Sequence, residues 1–315
     1  MKYTRQLQLI CLIGLAFSRP ALAQKQICIT IDDLPTISRV SRTPAAQKAL
    51  TTRLLGHLTQ YNVPAIGFVV GEKLMSGSKL DKNQVNLLTL WLDAGLELGN
   101  HTFAHGEYNT MSAAAYQQDI KGVDTLLRTF LMPYKQQPRY FRHPYLHRGN
   151  TVSKRDSLVQ YLADNQYQEA PVSIDNADYL FSAAYDQALL RQDSALATSV
   201  GNQYVAYMMG CVHYYEAQAD SLFKRPIAHI LLTHANTINS VYMGDLLAAL
   251  TADGYQFISL DQAVQDVAYR SSDEYIRNGG ISWIHRWALT QGKKGAFFKG
   301  EPEVPAAVTA LAESR

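Results

Sequence analysis

Short apolar segments rich in β-branched residues alternate along this chain with longer segments of helical periodicity. The predicted strands cover residues 26–31, 65–70, 96–98, 139–142, 169–174, 227–233 and 255–258. Helical patterns of about ten or more residues separate most of them, and parallel strands need connections of about that length. With 315 residues, 47% of them hydrophobic, the chain can bury one large core. The sequence therefore predicts an α/β fold on a mostly parallel sheet, open or closed.

The first 23 residues have the pattern of a secretory signal peptide. Lys2 and Arg5 precede an apolar run at 7–17, and residues 21–23 (ALA) form a small-residue cleavage site. The apolar run is too short to span a bilayer, and the cleavage site disfavours the alternative of an uncleaved anchor. We therefore expect an exported protein, periplasmic or extracellular, with no stable membrane insertion after the signal is removed.

The charge of the chain excludes one large group of functions. The full sequence has 29 basic and 27 acidic residues and a formal net charge of +2. Lys2, Arg5 and Arg19 belong to the predicted signal, which has no acidic residue, so the mature chain has 26 basic and 27 acidic residues and a net charge of −1. A nearly neutral protein lacks the attraction for polyanions that a general nucleic-acid binder or membrane-surface protein needs. We expect no nucleic-acid partner.

Two cysteines remain once Cys11 has left with the signal. Cys28 lies on a predicted core strand and Cys211 on a predicted helix. An exported protein could join them in a disulfide. Because pairing cannot be established from sequence alone, that alternative stays open, and we favour two buried thiols.

Polar clusters follow several of the predicted strands. Ligands of parallel α/β proteins bind where the strands end at their carboxyl side, so these clusters should meet in space. The clusters are Asp32-Asp33, residues 101–105 (HTFAH), residues 142–145 (RHPY), residues 175–179 (DNADY) and His234.

The first two clusters together suggest a metal site. His101 and His105 could share one cation if their segment coils into a helical turn, although such a pair alone is a weak signal. A carboxylate would complete a three-ligand site with an open position for water. Asp32 and Asp33 leave the strand in different directions, so one can bind metal while the other acts as a base. A turn or a helix cap is the alternative for this pair.

The remaining polar residues are ambiguous when taken singly. Arg142 could hold a neighbouring carboxylate ionised, or it could be an ordinary surface arginine. His234 follows four apolar residues and fits either a structural or a catalytic histidine. His143 and His147 are better explained as loop histidines than as part of a binding groove.

In their order along the chain, the clusters resemble the motifs of the polysaccharide deacetylases, carbohydrate esterase family 4, also called the NodB homology domain. The family motifs T-F-D-D-G, H-[S/T]-x-x-H and R-x-P-Y correspond to residues 30–34 (TIDDL), 101–105 and 142–145. The motifs D-x-x-D-W and L-x-L-H correspond to residues 175–179 and 231–234 (LLTH). The first two motifs are the specific ones, and the resemblance covers about residues 27–265.

The resemblance implies a fold and an activity. The fold would be a distorted (β/α)7 barrel, and the activity would be the removal of acetyl groups from an N-acetylated, GlcNAc-type oligo- or polysaccharide. Asp33, His101 and His105 would bind a divalent metal, most often Zn²⁺, with Co²⁺ or Mn²⁺ as alternatives. Asp32 would be the general base that deprotonates water on that metal.

The resemblance also implies the remaining catalytic roles. Arg142 would fix Asp32 in place. The backbone N–H of Tyr145 would stabilise the oxyanion. His234, oriented by Asp178, would protonate the leaving amine, which is a poor leaving group unless it is protonated.

The implied domain organisation has three parts. Residues 1–23 are the signal peptide, 24–270 the deacetylase-like barrel domain, and 271–315 a C-terminal extension that packs on the barrel or trails it. Extra helices are predicted at 181–220, between the fourth and fifth motifs, with a break near Gly201, and a last helix at 261–269. The extension holds an aromatic cluster at 283–287, for which we favour packing over stacking on sugar rings.

The sequence departs from the family pattern at four positions. Leu34 and Leu146 stand where the first motif and the residue after R-x-P-Y have glycine. Tyr179 replaces the tryptophan of the fourth motif. Thr233 replaces the leucine before His234, which predicts a more polar acetyl pocket.

Three alternative functions differ from this one in the residues or the substrate that they need. An O-acetyl esterase acting on xylan-like polysaccharide would use the same residues, and the sequence does not separate it from an amide hydrolase. A non-catalytic metal- or sugar-binding relative is disfavoured because binding needs neither Asp32 nor His234. A phosphatase with an aspartyl nucleophile would need D-x-D, and position 34 is leucine.

Overall fold

The computed structural model describes residues 24–314. The predicted signal peptide, with Cys11, lies outside the described residues. The strands are β1 (Gln26–Ile37), β2 (Ile66–Val69), β3 (Met75–Ser76), β4 (Lys79–Leu80), β5 (Glu97–Asn100), β6 (Tyr140–Phe141), β7 (Gln168–Glu169), β8 (Ala228–Asn236) and β9 (Gln256–Phe257). The helices are α1 (Pro44–Gln60), α2 (Lys82–Asp93), α3 (Ala113–Leu131), α4 (Val152–Asp164), α5 (Asp178–Leu190), α6 (Ser194–Phe223), α7 (Thr237–Ala252), α8 (Leu260–Ala263), α9 (Trp283–Thr290) and α10 (Ala306–Glu313).

One parallel sheet organises the molecule. Its strands lie in the order β7-β6-β5-β2-β1-β8, and β9 pairs with the start of β1. After β7 the chain reaches the opposite edge of the sheet, where Ile174 pairs with Leu231 of β8. The sheet therefore curls round on itself, and the prediction of an α/β fold, a distorted (β/α)7 barrel of mostly parallel strands, is confirmed. Among the described strands, only the short β3–β4 hairpin is antiparallel.

The helices begin where their capping residues predict. Thr43 caps α1, with Pro44 in its first turn, and Ser112 caps α3; each side-chain oxygen accepts a backbone N–H of the first turn. The apolar faces of these helices pack on the sheet in one extensive core. Among residues 24–314, no helix combines the length and the apolar character that crossing a membrane requires.

The predicted break in the long helical region is wrong. The extra helices α5 and α6 are present, but they are separated at residues 191–193, where Asp193 caps α6. Gly201 lies inside α6. An ideal Cβ at this position would lie 1.9 Å from the ring of Tyr242, so no larger residue fits there. This glycine permits close helix packing. The last predicted helix is shorter than expected: α8 ends at Ala263, and a separate 3₁₀ turn follows at Val267–Arg270.

The C-terminal extension packs on the rest of the protein. Trp283 and Trp287 of α9 are buried in the main core, and Trp287 meets the rings of Phe223 and Tyr269 edge to face. These aromatic side chains are therefore part of the core and are not available to stack on a sugar. Cys28 and Cys211 are unpaired, buried thiols, so the disulfide alternative is wrong.

Gly99 lies on β5, in a tightly packed part of the sheet next to the polar clusters. An ideal Cβ at Gly99 would lie 2.5 Å from the fully buried ring of Phe68 and 3.1 Å from the Tyr140 carbonyl oxygen. We expect Gly99→Ala to lower the free energy of unfolding by about 1–3 kcal/mol, measured by urea denaturation, because neither neighbour can move away.

Gly56 in α1 is the matched control. No atom lies within 4 Å of its ideal Cβ, and the position is exposed. Gly56→Ala should raise stability by up to about 1 kcal/mol through helix propensity. Equal effects of the two substitutions would contradict the packing described for β5.

Candidate active site

A cleft of about 580 Å³ opens at the carboxyl ends of the parallel strands. The structure brings residues from all five polar clusters to it, as the strand-end argument predicts. The polar residues that line it are Asp32, Asp33, His101, His105, His143, Tyr145, His147, Asp175, Asn176, Tyr179 and His234. Arg142 and Asp178 lie behind this lining and are fully buried.

Asp33, His101 and His105 form one compact group. Asp33 Oδ1 lies 3.3 Å from His105 Nε2 and 3.7 Å from His101 Nε2. His101 Nδ1 donates to the Arg142 carbonyl oxygen at 2.8 Å, which fixes the tautomer and leaves Nε2 free on the Asp33 side.

The histidines reach Asp33 from a loop. Residues 101–105 do not form a helical turn: Thr102 and His105 have left-handed backbones, with φ of 64° and 53°. The carboxylate of Asp119 holds this loop by accepting the N–H groups of Ala104 and Gly106 at 2.7 and 3.2 Å. A carboxylate from α3 therefore replaces the hydrogen bonds that a helical turn would have made.

This group fits a divalent cation. One ligand atom from each of the three residues lies within 4.8 Å of the others, and the buried Asp33 Oδ1 has no hydrogen-bond partner. Burial lowers the pKa of both His101 and His105, which favours the neutral imidazole that binds metal. Burial would raise the pKa of Asp33, but the charge of Lys73, the largest of the opposing influences, helps to bring it down to about 2. A carboxylate with two imidazoles is a common ligand set for zinc.

Asp32 lies beside this group in a different environment. The side chain is buried, and both of its oxygens lie 3.3 Å from Nη1 of Arg142. Burial raises the pKa of Asp32 to about 6, and the guanidinium opposes that rise. The guanidinium is itself held by the carbonyl oxygen of Ala170 at 2.9 Å and the hydroxyl of Thr30 at 3.0 Å.

His234 lies near the carboxyl end of β8, on another wall of the cleft. Its Nδ1 lies 2.6 Å from Asp178 Oδ1, and the other Asp178 oxygen accepts the His234 backbone N–H and the side-chain amides of Asn236 and Asn239. Burial would lower the pKa of His234, but Asp178, together with the more distant Asp33 and Asp32, raises it to about 9. The imidazole is therefore protonated at neutral pH.

The residues around the cleft correct one expectation about its polarity. Thr233 is fully buried, and its hydroxyl donates to the Thr30 carbonyl oxygen at 2.9 Å, away from the cleft. Alternation along β8 places Leu232 and His234 in the cleft lining. The predicted increase in pocket polarity from Thr233 is therefore wrong.

Tyr145 lies at the mouth of the cleft in a left-handed conformation, with φ of 56° and ψ of 14°. Its exposed ring meets His105 edge to face, with ring centroids 4.7 Å apart. His143 is buried behind it and pairs with Glu169 at 2.5 Å, and His147 borders the cleft.

Sequence reasoning missed Lys73. Its Nζ donates to the Asp33 carbonyl oxygen at 3.0 Å and lies 3.7 Å from Asp33 Oδ2. Lys73 belongs to a 3₁₀ turn that directly follows β2. The same strand-end argument that identified the other clusters, applied to the second predicted strand, would have found it.

The contact between His234 and Asp178 should make the protein respond to pH. We expect Asp178→Asn to lower the pKa of His234 from about 9, because burial then acts against the imidazolium without the facing carboxylate. Nuclear magnetic resonance titration of the imidazole protons measures this pKa. The stability that the pair contributes should be fully present below pH 6.5, the ordinary value for histidine, and should be lost as the pH rises towards 9.

The matched control is Asp253→Asn. Asp253 accepts from the exposed His213 at 3.1 Å, far from the cleft. This substitution should leave the His234 titration unchanged. An unaltered His234 pKa in Asp178→Asn would show that the pair does not set the protonation of the imidazole.

Comparisons with known proteins agree with this architecture. A sequence model of the family "Polysaccharide deacetylase" matches residues 19–167. No match was found among curated proteins. The chitin deacetylase of the fungal pathogen Colletotrichum lindemuthianum is a similar solved structure, with 21% identity and a TM-score of 0.50 over 77% of this chain and 88% of that one. At this identity the likeness establishes the fold alone.

Two further solved structures are less similar in shape. The peptidoglycan deacetylase PdaC of Bacillus subtilis has 18% identity and a TM-score of 0.47, over 77% of this chain and 91% of that one. A family pseudoenzyme of Bacillus anthracis has 16% identity and a TM-score of 0.46, over 77% and 66%. The family match over residues 19–167 and the shared fold confirm the resemblance to the polysaccharide deacetylases that the sequence motifs predict.

Proposed function

We propose that the protein is a metal-dependent hydrolase that removes acetyl groups from an N-acetylated, GlcNAc-type oligo- or polysaccharide. The observation that carries the proposal is the meeting, in one cleft, of the candidate cation group with two further side chains: the Asp32 carboxylate, held by Arg142, and the His234 imidazole, held by Asp178. Asp32 has a pKa of about 6 and His234 a pKa of about 9, so at neutral pH one is a base and the other an acid. The candidate cation group of Asp33, His101 and His105 lines the same cleft.

Asp33, His101 and His105 would hold the cation. The donor set suits Zn²⁺ best, and Co²⁺ or Mn²⁺ would fit the same nitrogen and oxygen donors. When bound, such a cation polarises an acetyl carbonyl and lowers the pKa of a water molecule to about 7. The hydrogen bond from His101 Nδ1 to the Arg142 carbonyl keeps the ring in the orientation and tautomer that binding needs.

Asp32 would accept a proton from the attacking water at its carboxylate. A base is most effective when its pKa lies near the operating pH, and burial brings the Asp32 pKa into that range. Arg142 contacts both carboxylate oxygens and so keeps Asp32 ionised and oriented. The Tyr145 backbone N–H would donate to the developing oxyanion, at about 3 kcal/mol for one such donor.

His234 would give a proton to the leaving nitrogen. Asp178 occupies Nδ1, so Nε2 is the ring nitrogen left for the substrate. A protonated His234 suits the proposed amide substrate, because an amine must be protonated to leave. An O-acetyl esterase remains the alternative, and the substrate panel below distinguishes the two. Together with the predicted signal peptide, such an activity is suited to a carbohydrate polymer outside the cytoplasmic membrane.

Acetate release is the direct test of the proposed chemistry. We expect release from chitooligosaccharide or peptidoglycan fragments and little from acetylxylan. Asp32→Asn and His234→Ala should each lower kcat by about 10²- to 10⁴-fold, because each removes one proton transfer. The control His213→Ala changes an exposed histidine remote from the cleft and should leave kcat unchanged. Acetate release only from acetylxylan would replace the amide assignment with the ester one, and no acetate from any substrate would contradict the proposal.

Cation removal tests the proposed metal dependence separately. We expect the purified protein to bind one divalent cation per chain and to lose acetate release after chelation, with recovery on adding Zn²⁺, Co²⁺ or Mn²⁺. His105→Ala should lower cation affinity strongly because it removes one of three ligands.

The control for the ligand set is His147→Ala, read by bound cation per chain. His147 also borders the cleft but lies outside the three-residue group. Its removal should leave the stoichiometry at one. Equal loss of cation in both variants would contradict the assigned ligand set.

A further inference from the structure

Residues 273–286, which we call the strap, run from the start of the C-terminal extension into α9 and lie across the loop that carries Tyr145. Gly280 of the strap contributes to the wall of the cleft. An ideal Cβ at Gly280 would lie 1.7 Å from the Tyr145 carbonyl oxygen and 3.1 Å from the Leu146 Cβ. The backbones are therefore so close that only glycine fits between them.

The loop beneath the strap is strained. Tyr145 and Leu146 are consecutive non-glycine residues with left-handed backbones, with φ of 56° and 55°. Such backbones are unfavourable for residues other than glycine and persist only where the surroundings impose them. Leu146 has a Cβ, so it adopts this conformation less readily than glycine would, and the turn needs support from its surroundings.

A chain of paired charges, two of them buried and the others partly exposed, joins the strap to this loop. Glu169 accepts from Arg148 Nε at 2.5 Å, and Arg148 Nη1 donates to Asp273 Oδ2 at 3.2 Å. The same Asp273 oxygen accepts from Arg286 Nε at 2.8 Å. The side chain of Arg286 is 2% exposed and that of Asp273 8% exposed. Because buried charges are stable only when paired, these contacts fix the strap relative to β7 and the loop.

Neutral contacts fasten the strap at two further points. The Asn278 carbonyl accepts from Asn109 at 2.9 Å, and its side chain accepts from Asn150 at 2.8 Å. At the start of α9, the Trp283 N–H donates to the Val172 carbonyl oxygen at 2.7 Å. The strap is thus held on both sides of Gly280.

We propose that the strap is a positioning element of the active site: Gly280 and the Arg148–Asp273–Arg286 ion chain hold the Tyr145–Leu146 turn so that the Tyr145 N–H points at the oxyanion. The inference rests on the proposed function for its catalytic consequence. Tyr145 is the residue that would touch the reacting atoms, and Gly280 and Asp273 act through it.

Two neighbouring glycines give a matched test. Gly280→Ala forces the turn to move, whereas an ideal Cβ at Gly279 meets its nearest atom, the Tyr275 hydroxyl, at an ordinary 3.4 Å. We expect Gly280→Ala to lower kcat for acetate release by roughly 10- to 100-fold, as a displacement of about 1 Å does, with bound cation per chain and KM little changed. Gly279→Ala should stay within about twofold of the unmodified protein.

The ion chain gives a second matched pair, with a readout that needs no activity. Asp273→Asn should speed hydrogen–deuterium exchange in residues 143–150 by roughly tenfold or more, because Arg148 and Arg286 lose their shared carboxylate. The control Glu274→Gln changes an exposed neighbour and should leave exchange unchanged.

The outcomes separate the two proposals. If the unmodified protein releases no acetate, the proposed function fails, and exchange in Asp273→Asn and Gly280→Ala still decides whether the strap holds the turn. Unchanged exchange in both variants would overturn the proposal that the strap holds the turn. A normal kcat in Gly280→Ala together with faster exchange would overturn the catalytic role of the strap. A loss of kcat that only accompanies loss of folded protein or of bound cation would overturn it as well.

Discussion

The buried guanidinium of Arg142 is the contact on which the rest of the cleft depends. Its N–H groups reach Asp32 and Thr30 of β1 and the Ala170 carbonyl after β7, and its own carbonyl accepts from His101. One residue therefore contacts β1, the segment after β7 and the histidine loop. It holds both the proposed base, Asp32, and a proposed cation ligand, His101. A fully buried cation is tolerable only with a carboxylate beside it, so the fold and the ionised state of Asp32 support each other.

Two adjacent carboxylates acquire different chemistry from this arrangement. Asp32 faces inward, where burial dominates and raises its pKa to about 6. Asp33 lies beside Lys73, whose charge opposes the effect of burial, and its pKa is about 2. Neighbouring positions on one strand end therefore supply one carboxylate that titrates near neutrality and one that stays charged, which is the division of roles that the proposed hydrolysis needs.

Sequence reasoning predicted those parts of the molecule that follow from hydrophobic periodicity or from the position of residues at strand ends. Apolar periodicity identified most strands and helices, and the strand-end argument gathered the polar clusters in one cleft. It failed where tertiary packing overrides local signals. Gly201 looks like a helix break but serves close packing against Tyr242, while Asp193 marks the actual boundary. Thr233 was assigned to the pocket although alternation along β8 turns it towards β1.

The strap could not be predicted because its contacts join residues more than a hundred positions apart, and no local pattern encodes such pairs. Its place in the chain has a consequence for assembly. A polypeptide is made from its N-terminus, so Asp32, His101 and Arg142 exist well before Asp273 and Gly280 do. The parts of the chain that carry the candidate cation group are therefore synthesised before the segment that packs on the Tyr145 turn. Of the features that the proposal combines, the support of this turn is the last to be synthesised.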